Sequence, residues 1–296
     1  MKSTIKIKRT DGSIIFEYED ENNSVKKTLE KYIKIKRAVC EKFVDLTEAN
    51  LENTNLEDID LSYVNLCKAN LLNANLNFSY LTGSDLKFAN LSYIKLKWAD
   101  LSGADLSHTN LIKADLSNSD LRYTDLYNAN LIRTNLQGAN LEKANLKESN
   151  LTDTILTDAN LRYADLSYTI LNYADLKRAD LSYADLRNTN LQEIDLRNAN
   201  LTKANLSYTD LRYADLTSAE LFNADIHNSN LREANFTKAN LSYANLIGTD
   251  LSHTILNYTD LTNINHIDYD FKGIMKTFSN NKIQPINNDV MLFDFK

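Results

Sequence analysis

The chain has 296 residues, a formal net charge of −7, one proline and six glycines. No apolar run reaches the 18 or more residues of a membrane helix, and residues 1–9 are charged where a secretory signal is apolar, so the sequence reads as soluble and cytoplasmic, with no membrane partner. Residues 1–43 carry a net +4 and residues 44–263 a net −11; an acidic body argues against direct nucleic-acid binding, which needs clustered Lys and Arg.

The first element in chain order is a hairpin. Residues 3–9 and 14–18 alternate apolar and polar, with Ile5 and Ile7 on one strand and Ile14, Phe16 and Tyr18 on the other. The Thr10-Asp11-Gly12-Ser13 stretch between them carries the Asp-Gly hairpin signal. A helix follows from about Ser24 to Glu41, with Asn23 or Ser24 as N-cap and Val25, Leu29, Ile33 and Val39 at helical spacing. Phe43 leads out of this first unit, residues 1–43. Cys40 and Cys67 show no metal-ligand spacing and read as two reduced thiols.

A strict repeat fills residues 44–263. Leucine recurs every five residues from Leu46 to Leu261, and of these forty-four positions only Ile226 and Phe236 differ. Two residues before each stands a small or β-branched residue, Ala in twenty-three cases; one residue before stands Asn or Asp in thirty-eight. A period of five fits neither a helix nor a strand. It fits a short extended piece plus a bend, repeated around an axis, with the leucine and the small residue inward. Positions 144, 164, 184, 204, 224 and 244 are all Ala, while 149, 169, 189, 209, 229 and 249 are all Ser or Thr. The true repeat is therefore twenty residues, four pentapeptides per coil. Eight of the eleven positions from Asn50 to Asp250, taken every twenty, are Asn. The fold class is an all-β solenoid of about eleven four-sided coils, roughly 53 Å long at the spacing of adjacent strands. The Asn and Asp side chains are expected to bond nearby backbone at the bends, and the inward Ser and Thr hydroxyls to bond along the stack.

Residues 264–296 form an apolar tail, with Phe271, Ile274, Met275, Phe278, Val290, Leu292, Phe293 and Phe295. It reads either as a cap over the open last coil or as a dimerisation element, so monomer and tail-mediated homodimer both stay open.

Chemistry is sparse. The histidines, His108, His227, His253 and His266, show no metal-ligand spacing, there is no glycine-rich phosphate loop, and abundant Asp follows from the repeat itself. The expectation is no catalytic residue, no metal and no cofactor. Breaks in the pattern are more informative. The Asn/Asp position is taken by Tyr80, Lys95, Ile155, Ile170, Glu220 and Ile255. Phe78 and Trp98 lie twenty apart and are expected to stack; Tyr80, Phe88, Tyr93 and Lys97 lie nearby in sequence, with adjacent faces open to them, and Phe78, Tyr80, Trp98 and Lys97 form a candidate interaction patch. Tyr163 and Tyr183 also fall twenty apart. Grouped by face, the columns of Leu46 and Leu61 carry net −5 and −3, those of Leu51 and Leu56 −2 and −1. The acidic side includes Asp85, Asp105, Asp125, Asp165, Asp185 and Asp225, interrupted by Lys87, Lys147, Arg162 and Arg187.

Ala-(Asp/Asn)-Leu-x-x, forty-four times in register, resembles the pentapeptide-repeat proteins. The resemblance implies a right-handed quadrilateral β-helix with the central Leu and the preceding Ala inside; from their own residues, the hairpin and helix read as a cap on its open N-terminal end and the tail as a C-terminal cap. It fixes no activity. The best-understood group of that family protects DNA gyrase from quinolones by imitating DNA. Two functions follow: a non-catalytic scaffold or interaction rod for an unknown protein partner, or a DNA mimic acting on a topoisomerase. B-DNA carries a negative charge per about 1.7 Å of axis, whereas net −11 along the rod is one per about 5 Å.

Overall fold

The computed structural model describes residues 2–39 and 44–265. The C-terminal tail from residue 266 on, Phe43 and the expected Glu41 end of the helix lie outside the described residues.

Two antiparallel strands, β1 (Lys2–Lys8) and β2 (Ile14–Glu21), open the chain. The turn forms where Asp-Gly stands: Gly12 takes φ +88° and Asp11 accepts from the Ser13 amide at 2.8 Å. The simple alternation expected of β2 does not hold. Ile7 pairs with Phe16 and Lys8 with Ile14, so Ile15 is an extra residue, a β-bulge. The bulge turns Ile15 and Phe16 toward the core and leaves Ile14 exposed.

Helix α1 spans Val25–Ala38 and is capped by Ser24, whose hydroxyl accepts from the Lys27 amide at 3.1 Å. It ends at Ala38, with Lys36 and Arg37 favourably placed in its last turn. Leu29 and Ile33 are buried as expected, together with Thr28 and Tyr32. Val39, counted as part of that stripe, lies beyond the last turn and is 65% exposed.

From Val44 on, every coil pairs in parallel with the next at a twenty-residue register, from Val44↔Val64 to Asn245↔Asn265. All the five-spaced apolar residues from Leu46 to Leu261 are at most 4% exposed. Leu161 donates to the Asp180 carbonyl at 2.7 Å, which sets it beside Leu181 on the next coil. Most bends are turns closed by a bond such as Ala164 N–H to the Leu161 carbonyl, 3.1 Å. The third residue has positive φ, +58° at Tyr163 and +64° at Gly103, the signature of a type II turn.

Asn and Asp ahead of each leucine do what their chemistry favours. Asn160 accepts from the Arg162 amide at 3.1 Å and Asp165 from the Ser167 amide at 2.9 Å. The asparagines also donate to the residue one coil earlier, Asn160 to Asn140 at 3.0 Å and Asn145 to Asp125 at 2.9 Å. The interior hydroxyls follow the expectation in part. Thr134, Thr154, Ser229, Thr254 and Thr259 bond a carbonyl of the preceding coil, and Thr209 also meets its stacked neighbour Ser229 at 3.1 Å. Thr169, Thr189 and Thr249 instead bond the carbonyl of the leucine three residues earlier in their own coil; either way the buried hydroxyl keeps a partner.

The N-terminal unit joins the first coil through backbone and charge. Asn50 donates to the Lys8 carbonyl at 2.8 Å, and Arg9 pairs antiparallel with Ala49. Arg37 reaches Asp60 at 2.7 Å, Arg9 reaches Asp45 at 3.5 Å, and Lys26 donates to the Glu57 carbonyl at 2.6 Å. Ile7, Leu29, Tyr32 and Ile33 share one continuous core with the leucine columns.

Candidate interaction surfaces

Each unit presents three outward side chains. The residues before and after the leucine lie side by side on a flat face: Ser107 Oγ donates to Asp105 at 2.7 Å, and Arg187 Nε to Asp185 at 2.9 Å. The positive-φ residue stands at the corner and is the most exposed.

The twenty-residue register brings Asp85, Asp105, Asp125, Asp165, Asp185 and Asp225 into one column, with Asn145 and Asn205 between them. All six carboxylates accept an amide two residues on, as the asparagines do. Several are also paired: Lys87 meets Asp105 at 2.8 Å, Arg187 meets Asp185 at 2.6 Å, and His227 meets Asp225 at 2.7 Å. Burial pushes the Asp105 carboxyl up, but Lys87 and Ser107 outweigh it and hold it below the usual carboxylate range. The column is a line of carboxylates already at work in the turns.

Phe78 and Trp98 occupy successive positions of one corner column, 50% and 59% exposed, and Tyr80 lies beside them on the adjoining face at 51%. Their rings do not stack, contrary to expectation: among the described residues, the ring pairs in contact include Tyr163–Tyr183, at 4.9 Å and 18°, and Phe88–His108, at 4.9 Å and 10°, but not Phe78–Trp98. Lys97 is tied down, its ammonium 3.1 Å from Asp115 and its amide donating to Asn77 at 2.9 Å. That second bond exists because Lys95 replaces the local Asn/Asp acceptor. Phe88 and Tyr93 sit on other corners, Phe88 against His108 and Tyr93 under the Lys113 ammonium at 5.3 Å. The sequence reading missed a longer ladder in which Lys143 covers Tyr123 at 5.2 Å and Tyr163 at 5.9 Å, and Lys203 covers Tyr183 at 5.3 Å. Tyrosine and lysine recurring every twenty residues at one position were the signal.

Among the described residues no group of three or more His, Cys, Asp or Glu is arranged to hold a metal ion, and no helix is long and apolar enough to cross a membrane. An open groove of about 540 Å³ lies between α1 and the first coil, lined by Glu30, Ile33, Lys34, Arg37, Asp58 and Asp60. Arg37 and Asp60 pair there, so neither charge is free for chemistry.

A family model of pentapeptide repeats matches the chain in eight copies spread over residues 42–265. No curated protein matches it. Among solved structures, the chain is 35% identical to HetL, a pentapeptide repeat protein involved in heterocyst differentiation regulation from the cyanobacterium Nostoc sp. strain PCC 7120, over 78% of this chain and 94% of that one, with a TM-score of 0.37. It is 42% identical to the pentapeptide repeat protein Rfr23 from the cyanobacterium Cyanothece 51142, over 32% of this chain and 60% of that one, TM-score 0.28. Full-length QnrB1, a plasmid-mediated fluoroquinolone resistance protein, aligns over 79% of this chain and 97% of its own at 15% identity, TM-score 0.32.

Proposed function

Because this chain belongs to the pentapeptide-repeat family, whose fold is a right-handed quadrilateral β-helix and whose members are generally non-catalytic, we propose that it is a cytoplasmic, non-catalytic interaction rod: eleven coils closed at one end by the hairpin and helix, presenting side chains to a protein partner. The observation that carries this reading is the contrast between corners. Tyr163 and Tyr183 satisfy each other, whereas Phe78, Tyr80 and Trp98 stand about half-exposed with no ring partner among the described residues. Large aromatic side chains left uncovered at neighbouring positions are the anchors that protein interfaces use. The full chain, immobilised in its native cytoplasm, retains a specific protein that the Trp98→Ala variant loses, while both melt at the same temperature. Retention of the same protein by both would remove the patch from the proposal.

A second reading rests on the aligned carboxylates of Asp85, Asp105, Asp125, Asp165, Asp185 and Asp225. A line of negative charge could stand in for a DNA backbone on a topoisomerase. The Lys87–Asp105 and Arg187–Asp185 pairs weaken that line. The test is gyrase supercoiling at low salt with micromolar protein, where the electrostatic attraction is strongest. An unchanged supercoiling rate would eliminate this reading for gyrase.

A further inference from the structure

One of the four faces is unlike the others. On the face of the Leu51 column, the positions flanking leucine from Asn70 to Gln192 hold fourteen side chains and no charge. The column before the leucines is Asn throughout except Ile170; the column after them runs from Leu72 through Ile112 and Ile132 to Gln192. Over the same seven coils, the matching positions of the Leu46, Leu56 and Leu61 faces hold eight, seven and six charged residues. Asn70 and Asn90 donate to Asn50 and Asn70 one coil earlier, which Asp cannot do, but the repeat does not impose neutrality: Asp165 and Asn160 accept the same backbone bond, and Asp85, Asp105 and Asp125 stack directly on the Leu46 face. A flat neutral face on an otherwise densely charged rod is the composition of a surface that is desolvated, since charge is depleted at the centres of interfaces.

The rim indicates what covers it. Along the corner that follows this face, the residues in order are Tyr93, Lys113, Arg133, Asp153, Tyr173 and Glu193. The first half is basic and the second acidic. Arg133 already pairs with Asp153 of its own chain at 3.1 Å; laid against its own reverse about a point between them, the series sets that pair head to tail against its copy, with Lys113 against Tyr173 and Tyr93 against Glu193. Each match is attractive and none sets like charges together. Self-complementarity under a two-fold rotation is what an isologous interface requires of one patch, and a different partner has no need of it. The opposite rim, with Phe88, His108, Asn128, Glu148 and Tyr168, also sets no like charges together in that arrangement. We propose that this neutral face is a self-association surface, on which a second copy of the chain lies antiparallel with its own neutral face inward.

Six coils at the strand spacing run about 29 Å. With a width of about 15 Å, the footprint is about 430 Å² per copy, roughly half that of a standard stable interface. The dimer is therefore reversible and appears at high concentration. The proposal does not rest on the partner-binding rod: a purely monomeric chain would end this inference and leave that reading standing.

Sedimentation equilibrium of the full chain from micromolar to several hundred micromolar tests it. Wild type moves from monomer to dimer as concentration rises. Ile132→Lys sets a charge in the centre of the face at a half-exposed position and raises the dissociation constant by about tenfold or more, because that charge must be desolvated without a partner. Thr157→Lys, at the corresponding position of the next face, leaves association unchanged. Arg133→Glu breaks the pair with its own Asp153 and sets Glu against Asp153 of the partner subunit, which weakens the dimer, and Arg133→Glu with Asp153→Arg restores both pairings. Thermal unfolding of each variant separates loss of fold from loss of association. A monomer at every concentration, a dimer indifferent to Ile132→Lys, a dimer equally weakened by Thr157→Lys, or failure of the double exchange to restore association would overturn the proposal.

Discussion

The rod and the N-terminal unit bury their apolar side chains in one core by different means. In the rod, Leu161 is one of many equivalent residues, each held between the coil before and the coil after. In the N-terminal unit, Leu29 and Tyr32 have no counterparts; their burial depends on how one helix and one bulged hairpin sit on a single coil. Charge follows the same division. Acidic residues of the rod are spent within the rod, inside their own units where Arg122 pairs with Asp120 and Arg212 with Asp210, or between adjacent coils where Lys87 pairs with Asp105 and Arg178 with Asp158. Basic residues of the N-terminal unit reach across to the rod at Asp45 and Asp60. A periodic structure propagates and tolerates local loss by spreading it over neighbours; an aperiodic one hangs on a few contacts.

The strongest way to break that distinction is to put a charge on the axis. Leu161→Asp exchanges about 2 kcal/mol of burial for an unpaired buried carboxylate. The expected loss is on the order of 4 kcal/mol or more, the size reserved for core disruption. Hydrogen exchange locates it: amides from Leu141 to Leu181 lose protection first, while α1 keeps its own. Unchanged melting would mean Leu161 is not an interior residue.

A smaller effect is expected at the junction. Burial pushes the Asp60 carboxyl up, but Arg37 and Ser62 outweigh it and hold it below its ordinary value of 3.8. A carboxyl lowered in the folded state contributes stability that is present above its unfolded value and is lost as pH falls through the folded one. Acidification from pH 5 toward pH 3 therefore loosens the junction. Both side chains are substantially exposed, 40% and 53%, which limits the pair to about 1 kcal/mol or less. Arg37→Ala lowers protection factors in α1 by about fivefold or less at pH 6, reduces their further fall with acid, and leaves amides near Leu161 untouched. Equal losses in α1 and around Leu161 would show that the two regions unfold as one.

Legibility in the sequence divided along the same line. Leu161 beside Leu181, and Asn160 bonding its own turn, followed from a period that many copies agreed on. The Ile15 bulge did not, because a hairpin with an Asp-Gly turn carries no mark of where one extra residue is inserted. Tyr32 was passed over for Val39, since both fit a helical stripe and only the length of α1 decides between them. The acidic column was legible as an alignment, but its engagement in the turns was not, because outward Asp looks the same in sequence whether or not it is bonded. For Phe78 and Trp98 the shared column was legible; whether two rings touch depends on how each leans from its corner, which a period of twenty leaves open.

The smallest effect concerns the corners, where periodicity reaches exposed side chains. Lys143 stands with its ammonium 5.2 Å from the Tyr123 ring centre, 5.9 Å from that of Tyr163, and 3.3 Å from the Tyr123 hydroxyl. That hydroxyl, and the charges of Tyr123, Glu142 and Tyr163 after it, raise the ammonium above its ordinary pKa. Lys238 occupies the same kind of corner, and no ring contact involves it among the described residues. Lys143→Met keeps an unbranched apolar chain between the two tyrosines and removes only the charge. Cation–π contacts at exposed sites contribute about 0.5–1 kcal/mol, so this variant melts lower by about 1–4 °C for a chain of this size. Lys238→Met removes a charge with no ring to cover and leaves melting unchanged. If both variants melt with wild type, the lysine–tyrosine corner is ornament on a rod that the leucines hold alone. If both fall together, the loss comes from the charge balance of the whole rod and not from the ladder.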